Sequence, residues 1–191
     1  MRIFLARHGT AIKKGDDSVL TKEGIKQAKN LAKQLSKIKF DFVFSSDLTR
    51  AKQTADEFIK LEPKNKTEYS PDIREIYRVI VGGPEKEGTP KDRAEKDKSR
   101  ADNFLNKISN LKGKNVLVFC HGNIIRYFLS KGLGISPEGL WEKMVISHGS
   151  ISIIEIANNK EMQVKAINLY QHQKGFLDEF FEGEITQEKY L

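Results

Sequence analysis

The sequence predicts an α/β fold with a mostly parallel sheet and helices on both of its faces. Three observations carry that expectation. Short continuous apolar runs, Ile3-Phe4-Leu5-Ala6 and Val116-Leu117-Val118-Phe119, read as strands covered on both sides. Segments with apolar residues every three or four positions, such as Ile25, Ala28, Ala32 and Leu35, read as amphipathic helices. The two patterns alternate along the chain, which favours parallel strands joined by crossover helices. A length of 191 residues suits one domain with a sizeable core.

The elements follow in order. Ile3 to Ala6 is the first strand, and it ends at Arg7-His8-Gly9. Thr21 caps a helix over about 22–38, with Lys22 and Glu23 in its first turn. Phe42-Val43-Phe44 is a second strand ended by Ser45-Ser46, and Ser46 or Asp47 caps a helix over about 48–61, stopped by Pro63. Residues 67–83 read as irregular or short-stranded, with Gly82-Gly83-Pro84 as punctuation. Residues 84–100 hold six basic and five acidic side chains and one apolar residue, Ala94, and read as an exposed, mobile insertion. A helix then runs to about Leu111. Val116 to Phe119 is the strongest strand; it leads into His121-Gly122 and a helix to about Leu133, closed by Gly132 and Gly134. Ile151–Ile156 and Met162–Ile167, joined at Asn158-Asn159, read as a hairpin.

Charge and composition exclude several classes. The net charge is +7, and residues 1–39 alone hold ten basic against three acidic side chains. Most of that excess is Lys22, Lys26, Lys29, Lys33 and Lys37, spaced as the solvated face of the first helix, so no nucleic-acid partner is expected. The longest apolar run is five residues, Val116 to Cys120, far short of the roughly 20 of a membrane helix. A single cysteine and no charged-then-apolar leader fit a cytoplasmic protein. The tail 175–191 has five acidic and one basic residue around Phe176, Leu177, Phe180 and Phe181; it reads as a helix docked on its own domain or a dimer contact, leaving monomer and homodimer open.

In such sheets ligands bind at the carboxyl ends of the strands, beside helix N-termini. Arg7-His8-Gly9 and His121-Gly122 both fall at that edge, and Arg50 joins them if the Ser45–Thr49 turn keeps it near the second strand. Two histidines and two arginines there would match a phosphate dianion, because a guanidinium grips two oxygens in its planar fork. A neutral imidazole in that field can attack phosphorus. The leaving oxygen then needs a proton, for which Glu75 is the best candidate and Asp72 and Glu68 weaker ones.

Taken in order, Arg7-His8-Gly9, Leu20-Thr21-Lys22-Glu23-Gly24 with Gln27, Ser45-Ser46-Asp47-Leu48-Thr49-Arg50 with Gln53-Thr54, Arg74-Glu75 and His121-Gly122-Asn123 resemble the histidine phosphatase (phosphoglycerate mutase-like) superfamily, over nearly residues 1–156. The resemblance implies an α/β/α sandwich and a phosphohistidine intermediate. His8 matches the nucleophile, Arg7, Arg50 and His121 the rest of the phosphate pocket, and Glu75 the proton donor. Gly9, Thr10, Gly122, Asn123 and His148 fall where members line the pocket, and Lys13 or Lys14 lies within reach of ligand. The run Thr10-Ala11-Ile12-Lys13-Lys14 departs from the Glu-Ser/Thr of mutases and is closer to the short phosphohistidine phosphatases. Residues Cys120–Tyr127 and Pro137–Trp141 are closer to the branch with protein serine/threonine phosphatases. The substrate therefore stays open between a phosphoprotein and a phosphorylated small molecule.

Two rivals remain in the residues. Cys120 and Arg126 match the minimal Cys-x5-Arg pattern of cysteine-dependent phosphatases. A phosphate pocket could also bind a phospho-ligand without turnover. No cofactor or metal is expected, since His8, His121, His148 and His172 show no ligand spacing.

Overall fold

A computed structural model describes residues 1–12, 17–76, 91–141 and 143–170. Lys13, Lys14, residues 84–90, His172 and the tail 175–191 lie outside the described residues. The chain forms β1 (Arg2–Arg7), α1 (Lys22–Leu35), β2 (Phe42–Ser46), α2 (Thr49–Leu61), β3 (Thr67–Ser70), a 3-10 turn (Pro71–Ile73), α3 (Lys91–Ser109), β4 (Asn115–Cys120), α4 (Gly122–Leu133), β5 (Ile151–Ile156) and β6 (Met162–Leu169). A second 3-10 turn covers Pro137–Gly139.

The sheet order is β3-β2-β4-β1-β5-β6. β3, β2, β4 and β1 run parallel, and β5 is antiparallel to β1 and β6. The two central strands are the two continuous apolar runs, and alternation along them divides the core. Ile3, Leu5, Val116 and Val118 face one side with Phe104, Ile108, Ile124 and Phe128 of α3 and α4. Phe4, Ala6, Leu117 and Phe119 face the other with Leu31, Leu35 and Phe58 of α1 and α2. This is the three-layer arrangement expected from the alternation of elements.

Boundaries differ in informative ways. α1 ends at Leu35, capped by Thr21, whose Oγ1 accepts from the Gly24 amide at 3.0 Å. Its buried face is Gly24, Gln27, Ala28, Leu31, Ala32 and Leu35, while Ile25, at the margin of that stripe, stays 38% exposed. The α2 N-cap is Leu48, with no capping side chain of its own. Its first amide, Thr49, instead donates to Asp17 Oδ1 at 2.8 Å, so the cap comes from a distant loop. Gly134 closes α4 at φ +65°, whereas Gly132 lies inside the helix against Val164.

The larger correction concerns residues 91–100. They form the first half of α3 rather than a stretch leading into it; as expected most of their side chains are exposed, but Ala94 is buried and Arg100 half-buried. Among the described residues no helix is long and apolar enough to cross a membrane.

Candidate active site

The carboxyl ends of β1, β2 and β4 lie side by side, and the residues that follow them meet there. His8 follows β1. Its Nδ1 stands 2.7 Å from the Gly9 carbonyl, and its Nε2 stands 3.1 Å from Arg50 Nε. A carbonyl can only accept and a guanidinium can only donate, so these partners set the tautomer. Nδ1 carries the proton, and the Nε2 lone pair accepts from Arg50 Nε. Burial holds the imidazole well below its ordinary pKa, and Arg50 and Arg7 add to that.

His121 follows β4 and is fully buried, its ring 5.0 Å from that of His8. Its Nε2 pairs with Ser46 Oγ at 2.9 Å, while its Nδ1 is buried without a partner. Burial again keeps the ring neutral, followed by His8, Arg50 and Arg7. Arg7 ends β1. Its Nη1 donates to the Ile146 carbonyl, and its Nε is buried without a partner. Buried polar atoms without partners are rare in folded proteins, and the Arg7 Nε donor beside the nucleophile suits an anion; His121 Nδ1 offers a second donor if the Ser46 hydroxyl donates to its Nε2. Gly122 makes room for Arg7: a Cβ there would stand 3.2 Å from the guanidinium carbon.

Glu75 reaches the same edge from the turn after β3. Its Oε1 accepts from the amides of Ile76, Asn123 and Ile124 at 3.2, 2.9 and 3.3 Å. It thereby supplies the cap that α4 lacks, since the residue at its N-cap position, His121, makes no side-chain cap bond. Burial raises the carboxyl above its ordinary pKa against the pull of Arg7 and the amides. His148 lies 5.4 Å ring to ring from His8 and is lowered to about 4, first by burial and then by Arg7 and Arg50.

The structure places the other expected residues as follows. Gly9 donates its amide to Thr54 Oγ1 at 3.2 Å, and Thr10 donates both N and Oγ1 to Gln27 Oε1 at 2.8 and 3.1 Å. The Asn123 side chain is half-buried, donating to the Ile76 carbonyl at 2.9 Å and accepting from Arg126 at 2.8 Å. Glu68 lies exposed against Lys107, and Asp72 sits on the turn behind Glu75. Cys120 faces the core beneath α4, and burial pushes its thiol up, away from thiolate chemistry. Arg126 donates to the Met144 carbonyl at 2.6 Å. The cysteine rival has no supporting geometry.

Sequence reasoning singled out Gln27, Gln53 and Thr54 without assigning them work. Gln53 Oε1 accepts from the Leu20 amide at 2.7 Å, so all three side chains staple the loop after His8. The signal was a polar residue on the buried face of an amphipathic helix. Ser46 reads in the sequence only as a helix cap and part of a motif, while Ile146 and Asn168, whose Oδ1 receives the Ser147 amide at 2.5 Å, carry no signal. Among the described residues no three His, Cys, Asp or Glu side chains cluster as metal ligands would.

A sheet of this order with a histidine-arginine pocket at its carboxyl edge defines an α/β protein with a cationic site. The chain belongs to the histidine phosphatase superfamily, branch 1, whose model matches residues 3–97 and 82–169. It is similar to the mitochondrial serine/threonine-protein phosphatase Pgam5 of Caenorhabditis elegans, 32% identical over 180 residues and 89% of this chain. The Drosophila ananassae protein of that name is 29% identical over 189 residues, 92% of this chain. The chain spans 63% and 64% of the length of these two relatives. Two solved structures share the fold. A putative alpha-ribazole-5'-P phosphatase from Escherichia coli matches with a TM-score of 0.74 at 22% identity, over 88% of this chain and 96% of that one. A phosphoserine phosphatase from Entamoeba histolytica, in complex with 3-phosphoglyceric acid, matches with 0.70 at 23% identity, over 90% and 98%.

Proposed function

We propose that the chain is a phosphomonoester phosphatase that works through a phosphohistidine on His8. The observation that carries this reading is the fixed tautomer of His8, whose Nε2 lone pair accepts from Arg50 and lies in a pocket with the unpartnered Arg7 Nε and His121 Nδ1. Nε2 attacks phosphorus while Arg7, Arg50 and His121 hold the non-bridging oxygens. The bond from phosphorus to the ester oxygen breaks, and Glu75 gives that oxygen its proton. A raised carboxyl pKa suits this role, because the acid must be protonated when the ester is cut. Water then attacks the phosphohistidine and surrenders its proton to the Glu75 carboxylate. Inorganic phosphate leaves, and both residues return to their starting states. No step uses a metal or cofactor.

Family membership and similarity to the Pgam5 phosphatases support a phosphoserine or phosphothreonine protein as substrate. A small phosphorylated metabolite is the second substrate class. The test is a panel of phosphoserine and phosphothreonine peptides, a phosphohistidine peptide, 3-phosphoglycerate and small phosphomonoesters, run on wild type and His8→Ala. Turnover in wild type with an acid-labile phosphoenzyme, both missing in His8→Ala, is the expected result. Tight phosphate binding without turnover on any substrate would make the chain a phospho-ligand binding module instead.

A further inference from the structure

Glu75 sits on a short irregular segment pinned by buried Ile73 and Ile76 and by the Arg74–Asp47 pair. Residues Pro71–Ile73 make a single 3-10 turn after the edge strand β3, and the chain then runs straight to Glu75. The turn is held from below by a side chain from α3. Arg100 Nη1 donates to the carbonyls of Pro71, Asp72 and Arg74 at 3.3, 2.8 and 2.9 Å, and Nη2 donates to the carbonyl of Glu75 itself at 2.7 Å. Its Nε donates to Asp97 Oδ1 at 3.0 Å, one turn back on α3, which fixes the guanidinium from behind. One planar fork therefore reaches four carbonyls of this segment, with the two N–H groups of Nη1 shared among three of them, a geometry a lysine ammonium could not match. Glu75 is gripped at both ends: α3 holds its backbone through Arg100, and α4 holds its carboxyl through the amides of Asn123 and Ile124.

We propose that Arg100 is the positioning residue of the proton donor, setting where the Glu75 carboxyl stands relative to the leaving oxygen. The inference rests on the reading of Glu75 as the general acid. Arg100 touches no substrate; it acts through the Glu75 turn. A donor displaced by about 1 Å costs a proton-transfer step on the order of a hundredfold, so a loosened turn is felt mainly where protonation limits the rate. Loosening also admits water to a carboxyl whose raised pKa comes first from burial. The charged or titratable groups that face it are Arg7 from β1, Arg50 from α2, Cys120 from β4 and, from α3, Arg100 itself, whose positive charge is lost in Arg100→Ala and kept in Arg100→Lys.

The experiment compares Arg100→Ala, Glu75→Gln and the double variant on p-nitrophenyl phosphate and on a phosphoserine peptide. The first has a leaving group that needs little protonation; the second has an alkoxide that needs it. Arg100→Ala should lower kcat on the peptide about tenfold or more while kcat on p-nitrophenyl phosphate stays within about twofold. In Arg100→Lys, which keeps the positive charge and admits water, the alkaline limb on the peptide should move to lower pH, and the Arg100→Ala/Glu75→Gln double variant should be no slower than Glu75→Gln. Arg100→Lys, without the fork, should otherwise behave like Arg100→Ala. If Arg100→Ala does not fold, Asp97→Asn loosens the same fork and should show the same selective loss. Equal losses on both substrates with an unmoved pH profile would reduce Arg100 to a structural role and overturn the proposal. A Glu75→Gln variant that slows both substrates alike would instead remove Glu75 as the acid and take this inference with it.

Discussion

Gly9 and Gly24 meet backbone to backbone. A Cβ on Gly9 would stand 2.3 Å from the Gly24 carbonyl oxygen, and a Cβ on Gly24 would stand 2.0 Å from that of Thr10. The loop carrying the nucleophile is thus laid against the first turn of α1 at the closest approach two chains allow. Thr21 fastens the same contact, since its N and Oγ1 both donate to the Thr10 carbonyl, at 2.9 and 3.2 Å.

The first prediction follows from that contact. Gly24→Ala must push the His8 loop away from α1, and overpacking of this kind costs about 1–3 kcal/mol. A thermal melt should show the loss, and kcat/KM should fall with it because Gly9 anchors the His8 ring. Unchanged stability would mean that the two backbones are farther apart than described.

The second prediction separates the two candidate nucleophiles. His8→Ala should abolish turnover. Cys120→Ser should retain it within a few-fold and lose only stability, by roughly 1–3 kcal/mol for a hydroxyl placed in an apolar site. Steady-state rates on p-nitrophenyl phosphate decide the matter, and the reverse pattern would restore the cysteine mechanism.

The third prediction concerns pH. His8, His121 and His148 all have folded pKa values below that of a free histidine. Below about pH 6.5 the unfolded chain therefore binds more protons than the folded one, so stability falls as pH drops through that window. Glu75, shifted upward, acts in the opposite direction: its contribution is present at low pH and is lost as pH rises through its folded value. With three groups against one, the melting temperature should fall between pH 7 and pH 5, and His148→Ala should flatten part of the slope. A melting temperature that rises on acidification would contradict the buried neutral histidines.

The fourth prediction uses the unpartnered Arg7 Nε and His121 Nδ1. Inorganic phosphate or vanadate should raise the melting temperature, by an amount equivalent to about 2.7 kcal/mol at a concentration a hundred times its dissociation constant. Arg7→Ala and His121→Ala should each abolish most of that shift. Turnover should survive a chelator, and EDTA-sensitive activity would count against the whole scheme.

Much of this was legible in the residues. Ile3 to Ala6 and Val116 to Phe119 are apolar without interruption because central parallel strands are covered on both faces, and the chemistry-bearing residues follow them directly. The first half of α3 was not legible. Between residues 84 and 100 only Ala94 is apolar, and the buried run Ala101, Phe104, Leu105 and Ile108 begins after it, so the pattern shows a helix only in its second half. The caps were hidden for another reason. Asp17 closes α2 from 32 residues away, and Glu75 closes α4 from 48, distances over which local spacing says nothing.

That last cap has an evolutionary consequence. The carboxyl proposed to shuttle the proton is also the group that satisfies the first amides of α4. A descendant of this fold that abandoned catalysis would still be under selection to keep an acceptor at position 75. Retention of a glutamate there, in a chain that has lost its histidine, would be a relic of helix stability rather than of chemistry. Alanine at this position answers two questions at once and neither cleanly; glutamine, which keeps the acceptor oxygen and gives up the acid, answers one.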